Sequence, residues 1–204
     1  VTTVTQAVQA VASGADVIVA QGGEAGGYSG EVSTLSLVPQ VVDAVAPIPV
    51  VAAGGIFDGR GLAAALMLGA AGVNLGTRFL ASNESQIEPD WLEAILKANS
   101  EDAVKAEVLN DIMPLPGRAG YGTVLRALPT PFLKDWSGRR EQAASEAGRL
   151  LGEMAAGTAR GERGCFLATA GQTAGAIRDV LPVAEIIQRL VAEAEQALAR
   201  GAGL

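Results

Sequence analysis

Residues 49–77 read PVVAAGGIFDGRGLAAALMLGAAGVNLGT, and the pattern in this stretch decides the fold. Two short apolar runs, Pro49–Ala53 and Gly72–Leu75, flank a segment whose apolar residues follow helical spacing. Asp58 precedes that segment in the position of a helix N-cap, and Gly69 follows it in the position of a C-terminal glycine. The stretch is therefore predicted to form a strand, a helix and a second strand, which is a βαβ unit.

The same alternation extends toward the N-terminus. Asp16–Ala20 is a β-branched run bounded by glycine-rich sequence, which predicts a buried strand. Helical spacing predicts a helix over Val4–Ala12 and another over Val38–Val45. Strands and helices that alternate every 25 to 30 residues or so are typical of a parallel sheet. The nearly continuous Val, Ile and Ala in the strands predict burial on both faces, as in doubly wound sheets or α/β barrels.

Asn83–Gly164 interrupts this alternation. The segment contains helical stretches at Trp91–Ala98 and Arg139–Ala156, a Pro/Gly-rich segment at Met113–Gly122 and no clear strand. We therefore expect an inserted, mostly helical subdomain. The predicted division is residues 1–82 for the strands and their helices, residues 83–164 for the insertion, and residues 165–204 for a glycine-containing loop and a long amphipathic helix.

Composition excludes several classes of function. The chain has 15 basic and 22 acidic residues, a net charge of −7, which argues against a nucleic-acid partner. It contains no histidine, which excludes Ser-His-Asp and Cys-His nucleophile systems and histidine-ligated zinc. Cys165 is the single cysteine, so neither an intrachain disulfide nor a metal site is expected. An apolar pair follows Cys165, which favours a buried, inert thiol over a nucleophile.

Membrane insertion is not expected either. Apolar runs such as Pro49–Ala53 are far shorter than the roughly 20 residues that cross a bilayer. The N-terminal residues do not have the pattern of a signal peptide. We therefore expect a cytoplasmic protein without a membrane partner.

Two glycine loops follow predicted strands about twenty residues apart. They are Gly54-Gly55-Ile56 and Gly76-Thr77-Arg78. In α/β barrels the loops after the last two strands commonly bind a phosphate, because backbone N–H groups point at it and glycine permits close approach. Either loop alone is more simply a strand-to-helix turn, but the pair at this spacing favours a phosphate site. The Thr77 hydroxyl could donate a further hydrogen bond.

A third loop is predicted at Gly22–Gly30. Its part Gly22–Gly27 is too rich in glycine for a plain turn and suggests backbone lying against a flat ligand. Gln21 before it offers an amide to a planar ring edge, although a surface glutamine is an equally good interpretation. Glu24 and Asp58 are candidate carboxylate bases. For each of them a solvated position or a helix cap is the favoured interpretation.

Four stretches of the chain resemble the nitronate monooxygenase family, formerly called 2-nitropropane dioxygenases. These are FMN-dependent (β/α)8 barrels related to an FMN-type enoyl-ACP reductase. The resemblance implies the C-terminal portion of a TIM barrel, with strands six to eight, an insertion after the last strand, and a final barrel helix after Pro182. The matching stretches are GADVIVAQGGEAGGYSG (14–30), LVPQVVDAV (37–45), PVVAAGGIFDGRGLAAALMLGAAGVNLGTRFLASNES (49–85) and AGQTAGAIRDVLPVAEIIQRL (170–190).

The resemblance also implies a set of FMN-binding residues. Gln21, Gly26 and Gly27 would border the flavin. Its phosphate would be held from the two strand-end loops, by Gly54 and Gly55 in the first and by Asn74, Leu75, Gly76 and Thr77 in the second. Gln172 would lie in a loop packed over the phosphate end.

The sequence departs from the family at its catalytic base. The family uses a histidine directly after the glycine pair, and here that position is Tyr28. A phenol with a pKa of about 10 is protonated at neutral pH and does not abstract a proton as imidazole does. Tyr28 could donate a hydrogen bond to a nitro or carbonyl oxygen, or stack near the flavin.

The leading hypothesis is therefore an FMN oxidoreductase that oxidises alkyl nitronates with O2, because nitronates are already deprotonated. An alternative is an NAD(P)H-dependent quinone or enoyl-thioester (enoyl-ACP) reductase, in which Tyr28 would donate a hydrogen bond to the acceptor oxygen. A third hypothesis is a flavin-binding protein that has lost its catalytic activity. A homodimer is one possible assembly.

Overall fold

The computed structural model describes residues 1–113 and 122–202, so most of the Pro/Gly-rich segment predicted at Met113–Gly122 lies outside the described residues. The strands are β1 (Ile18–Gln21), β2 (Gly27–Ser29), β3 (Val50–Ala53), β4 (Gly72–Asn74), β5 (Val104–Lys105) and β6 (Val124–Ala127). The helices are α1 (Val4–Ala12), α2 (Thr34–Val45), α3 (Gly59–Met67), α4 (Thr77–Leu80), α5 (Pro89–Lys97), α6 (Glu107–Ile112), α7 (Pro131–Trp136), α8 (Arg140–Ser145), α9 (Ala147–Ala159), α10 (Arg163–Phe166) and α11 (Val183–Gly201), with 3-10 turns at Ser100–Asp102 and Gln172–Ala176.

A three-stranded parallel sheet with the order β1-β3-β4 forms the first layer. Helices α2 and α3 connect its strands, so the predicted βαβ pattern is confirmed. The Asp58 carboxylate caps α3 by accepting the N–H groups of Arg60 and Gly61, and Gly69 follows this helix with a φ of +90°. Both are the positions predicted from the sequence, because capping chemistry is local.

The predicted burial on both faces of this sheet is correct for one face only. Ile18, Val50 and Ala52 are buried in a core shared with α1 and α2. Val19, on the opposite face, is 37% exposed. Side chains alternate between the two faces along a strand, and the described helices of this core cover the face that carries Ile18, Val50 and Ala52.

A second sheet, antiparallel with the order β2-β6-β5, joins the glycine loop after β1 to residues 83–164, the predicted insertion. In this sheet Tyr28 pairs with Leu125 and Lys105 pairs with Arg126. The sequence predicted a loop at residues 22–30 and no strand within residues 83–164, and both expectations are wrong at these strands. The strands are only two to four residues long, so their alternation is too short to be recognised, and pairing partners decide their conformation.

The other described residues of this predicted insertion are mostly helical, as the sequence predicted. Trp91 is buried with Ile95 in one apolar core, and Trp136 packs against a second core, so both tryptophans pack the insertion. The predicted helix Arg139–Ala156 is two helices, α8 and α9, that meet at Glu146. No helix in the described ranges is both long and apolar enough to span a membrane.

Candidate functional site

A cavity of about 320 Å³ lies where the carboxyl ends of β1, β3 and β4 meet. Gln21, Ala53 and Asn74 are register partners on the three strands, so one row of residues supplies part of its wall. The carboxyl edge of a parallel sheet is the usual position of ligand sites in α/β proteins. The remaining lining residues are Glu24, Ala25, Gly26, Gly27, Gly54, Gly55, Ile56, Gly76, Thr77, Leu80, Thr169, Ala170, Gly171 and Thr173.

Glycine occurs for different physical reasons in the two strand-end loops that line this cavity. Gly54 and Gly55 have φ values of +94° and +72°, a left-handed conformation that other residues rarely adopt. Gly76 has an ordinary φ of −98°, and a Cβ placed on it would meet no heavy atom within 4 Å. The fold therefore does not require glycine at position 76. Gly76 lines the cavity and has open space where its side chain would be, and an oxyanion bound to the backbone N–H would need such space.

Thr77 is well placed to complete such a cradle. It begins α4, is 7% exposed, and its Oγ1 accepts the backbone N–H of Gly171 at 2.9 Å. Because this bond uses an oxygen lone pair, the hydroxyl proton remains to be donated. The site thus fits a phosphate through neutral donors, since the described lining contains no lysine or arginine.

Glu24 lies in the cavity lining, but its carboxylate serves another part of the fold. Both oxygens accept the backbone N–H of Thr34, at 3.1 and 2.9 Å, and Oε2 also contacts the Thr34 hydroxyl at 2.9 Å. Thr34 is the first residue of α2. The carboxylate therefore caps a helix that begins ten residues later, which confirms the cap interpretation.

The loop after β1 contacts the segment after the insertion backbone to backbone. A Cβ on Gly26 would lie 2.6 Å from the carbonyl carbon of Ala170 and from the nitrogen of Gly171. The backbone N–H of Gln172 donates to the carbonyl oxygen of Glu24 at 2.9 Å. Gly26 is thus required by close approach, not by a positive φ.

We expect Gly26→Ala to loosen this contact. The added methyl group meets backbone atoms that cannot rotate away, so the loop must shift, and the free energy of unfolding should fall by about 1–3 kcal/mol. Chemical denaturation measures the change. Gly148→Ala is the matched control, because a Cβ there meets nothing within 4 Å and lies in helix α9. A stability of Gly26→Ala equal to that of the control would contradict the close approach.

Three residues of the predicted site do not line the cavity. The ring of Tyr28 is half-buried and packs against the apolar core of the insertion, which includes Leu125. Leu75 packs against the core of the parallel sheet, and Gln172 contributes the backbone hydrogen bond to Glu24. The other predicted cofactor residues lie together around the cavity.

Sequence reasoning missed three basic residues that organise the site. Arg78 is 7% exposed and binds the carboxylate and carbonyl of Asp179 at 2.7 and 2.9 Å, which ties α4 to the segment before α11. Lys105 and Arg126 bind carbonyl groups of the loop after β1. The position of Arg78 directly after Thr77 was a weak local signal. Lys105 and Arg126 contact residues more than 70 positions away in the chain, so no local sequence pattern indicates their role.

The expectation of a buried Cys165 is wrong. The residue is exposed on the short helix α10, while Phe166 and Leu167 after it pack against the core of the insertion. Its Sγ lies 3.7 Å from the Asp90 carboxylate. Desolvation and this negative charge raise the pKa of the thiol, which opposes formation of the reactive thiolate.

A parallel sheet that opens at its carboxyl edge on a glycine-lined cavity defines an α/β protein with a candidate ligand site in the position usual for that class. The sequence model of the nitronate monooxygenase family matches residues 1–193. The chain belongs to this family, as the resemblance of its motifs predicted.

Two curated relatives show how similar this chain is to individual proteins. "Probable nitronate monooxygenase" of Staphylococcus aureus is 47% identical over 146 residues, which are 67% of this chain and 38% of that protein. A Rhodococcus jostii protein named (3aS,4S,5R,7aS)-5-hydroxy-7a-methyl-1-oxo-octahydro-1H-indene-4-carboxyl-CoA dehydrogenase is 64% identical over 77 residues, which are 38% of this chain and 21% of that protein.

Solved structures show the same relationship. FabK from Thermotoga maritima superposes with a TM-score of 0.84 at 36% identity, and covers 100% of this chain and 62% of its own. Nitroalkane oxidase from Streptomyces ansochromogenes gives 0.80 at 30% identity, with 98% and 57% covered. The chain spans about 60% of these two structures and a smaller share of the curated relatives.

Proposed function

We propose that this chain provides the phosphate-binding side of an FMN-dependent oxidoreductase that oxidises alkyl nitronates with O2. The observation that carries the proposal is the convergence of Gly55, Gly76 and Thr77 on one cavity at the carboxyl ends of adjacent parallel strands. In this proposal β1, β3 and β4 correspond to strands six to eight of a TIM barrel, residues 83–164 are the insertion, and α11 is the final barrel helix.

The chain's own groups suit the two ends of FMN. Backbone N–H groups of Gly55 and Gly76 and the Thr77 hydroxyl would hold the phosphate. Gln21 and Asn74 offer amide donors and acceptors, and Gly27, where a Cβ would meet nothing within 4 Å, leaves room for a flat ring system. Bound FMN would supply the redox chemistry and the reaction with O2. The protein binds and orients the reactants.

The proton requirements favour a nitronate as the substrate. A neutral nitroalkane must lose a carbon-bound proton before oxidation, which calls for a base near neutral pKa. Tyr28 stands where the family has its histidine, and an ordinary phenol has a pKa of about 10. A nitronate has already lost this proton, so its oxidation requires only binding and orientation from this chain.

The test is oxygen uptake by the intact, FMN-loaded protein. With propane-2-nitronate we expect steady O2 consumption that depends on FMN, and with 2-nitropropane at equal concentration a rate at least tenfold lower, or roughly the factor by which a general base contributes. The rate without protein is the control. Equal rates on the two substrates would contradict the role assigned to Tyr28.

A second candidate follows from the relative named as a carboxyl-CoA dehydrogenase, whose match is 64% identical. This relationship favours a thioester substrate, so the alternative is an NAD(P)H-dependent enoyl-thioester or quinone reductase. NADH oxidation on addition of an enoyl thioester or a quinone, without nitronate oxidation, would support it. Bound FMN without turnover on any of these substrates would indicate a flavin-binding protein that has lost catalysis.

A further inference from the structure

The segment that follows β1, residues 22–30 with the short strand β2 inside it, is called the loop after β1 and is held from the side of the insertion by two cations. The Lys105 ammonium donates to the carbonyl oxygens of Ser29 at 2.6 Å and Gly30 at 2.7 Å, and to the Ser29 hydroxyl at 3.0 Å. It also lies 3.4 Å from the Glu31 carboxylate. An ammonium has three protons, so the loop satisfies the hydrogen-bonding capacity of this group.

Arg126 holds the opposite end of the same loop. Its Nε and Nη2 both donate to the carbonyl oxygen of Gly23, at 3.0 and 2.8 Å, and its Nη1 donates to the carbonyl oxygen of Ala103. Burial lowers the pKa of Arg126 and that of Lys105, because both charges are partly removed from water. Partly buried cations of this kind are tolerated when hydrogen bonds replace the lost hydration, and the loop carbonyls provide those bonds.

On its other side the loop contacts the segment that follows the insertion. Gly26 is in backbone contact with Ala170 and Gly171, and Gln172 binds the Glu24 carbonyl. The segment between the two cation contacts supplies part of the cavity wall. The loop is therefore fixed between the insertion on one side and the segment after the insertion on the other.

We propose that Lys105 and Arg126 are positioning residues that hold the cavity-facing loop in its working geometry, although neither lines the cavity. This inference rests on the proposed oxidoreductase function. A displacement of about 1 Å in groups that orient a substrate can lower a rate by about a hundredfold. The two cations thus affect turnover through loop geometry, in addition to any contribution to stability.

The experiment compares Lys105→Met, Arg126→Met and Lys105→Arg in the intact protein. The control is Lys134→Met, which removes an exposed lysine from helix α7. Three readouts are measured: amide hydrogen exchange of residues 22–31, visible circular dichroism of bound FMN, and kcat and KM for propane-2-nitronate per bound flavin. Lys105→Gln replaces the Met variant if the latter does not fold, because it keeps one donor and a similar length.

We expect both Met variants to exchange the loop amides faster and to alter the flavin dichroism. We also expect kcat to fall about tenfold while FMN affinity stays within roughly twofold, since the phosphate loops are untouched. Lys105→Arg should recover most of kcat, because it keeps the charge and the donors.

Unchanged loop exchange, or faster exchange with dichroism and kcat equal to those of Lys134→Met, would overturn the proposal. If the unmodified protein oxidises no nitronate, the proposed function fails, and loop exchange with the dichroism of bound flavin still decides the positioning role. If no flavin binds, faster exchange that is confined to residues 22–31 in both Met variants supports the positioning role, and unchanged exchange there, or faster exchange throughout the protein, refutes it.

Discussion

Gly76→Val should lower FMN affinity by at least about a hundredfold, because it removes two or so charge-assisted hydrogen bonds worth roughly 1.5 kcal/mol each. The backbone at Gly76 has an ordinary φ of −98°, and a Cβ there meets no protein atom within 4 Å. The valine side chain therefore occupies the space proposed for the phosphate without a clash inside the protein. Flavin fluorescence titration measures the dissociation constant.

Riboflavin distinguishes loss of the phosphate contact from general damage. The unmodified protein should bind FMN much more tightly than riboflavin, which lacks the phosphate, and Gly76→Val should bind the two with similar, weak affinity. Gly148→Ala serves as the folding control. Gly55→Val is a poorer test, because φ is +72° at Gly55 and any side chain there strains the backbone. Equal affinity of the unmodified protein for riboflavin and FMN would refute the phosphate site.

Tyr28→His should raise the rate of neutral nitroalkane oxidation by about a hundredfold, the lower range of what a general base contributes. The expected change in the nitronate rate is less than threefold or so, because that substrate needs no proton abstraction. Position 28 directly follows Gly27, which lines the cavity, so the backbone at position 28 lies next to the site although the Tyr28 ring packs against the insertion. O2 uptake with 2-nitropropane and with its nitronate measures both rates.

The pH profile of the Tyr28→His variant tests whether the imidazole acts as the base. Its nitroalkane rate should increase as pH rises through about 6.5, where imidazole becomes neutral and able to accept a proton. Tyr28→Phe is the matched control, because it keeps the ring that packs against the insertion and removes only the hydroxyl. A gain in Tyr28→Phe equal to that in Tyr28→His would show that packing, and not a base, limits the nitroalkane rate.

Much of the first sheet and of the glycine-lined cavity could be predicted from the sequence. The strand at Val50–Ala53, the cap at Asp58 and the turn at Gly69 depend on hydrophobic periodicity and on capping chemistry, which act within a few residues. Gly55 and Gly76 could be recognised because a glycine directly after a predicted strand indicates a strand-end loop, and two such loops at this spacing favour a phosphate site. Parallel pairing then brings their loops to the same edge of the sheet.

Tertiary structure alone decided what surrounds that edge. Glu24 caps a helix that begins ten residues later, and Arg126 binds a carbonyl 103 residues away. The strand at Tyr28 pairs with Leu125, and its three residues are too few for an alternation that would predict a strand. Such contacts form between groups that chain folding brings together, and their energy depends on burial and partner geometry that no local pattern records. The sequence therefore determined the parallel sheet and its glycine loops, whereas folding determined which side chains hold them in place.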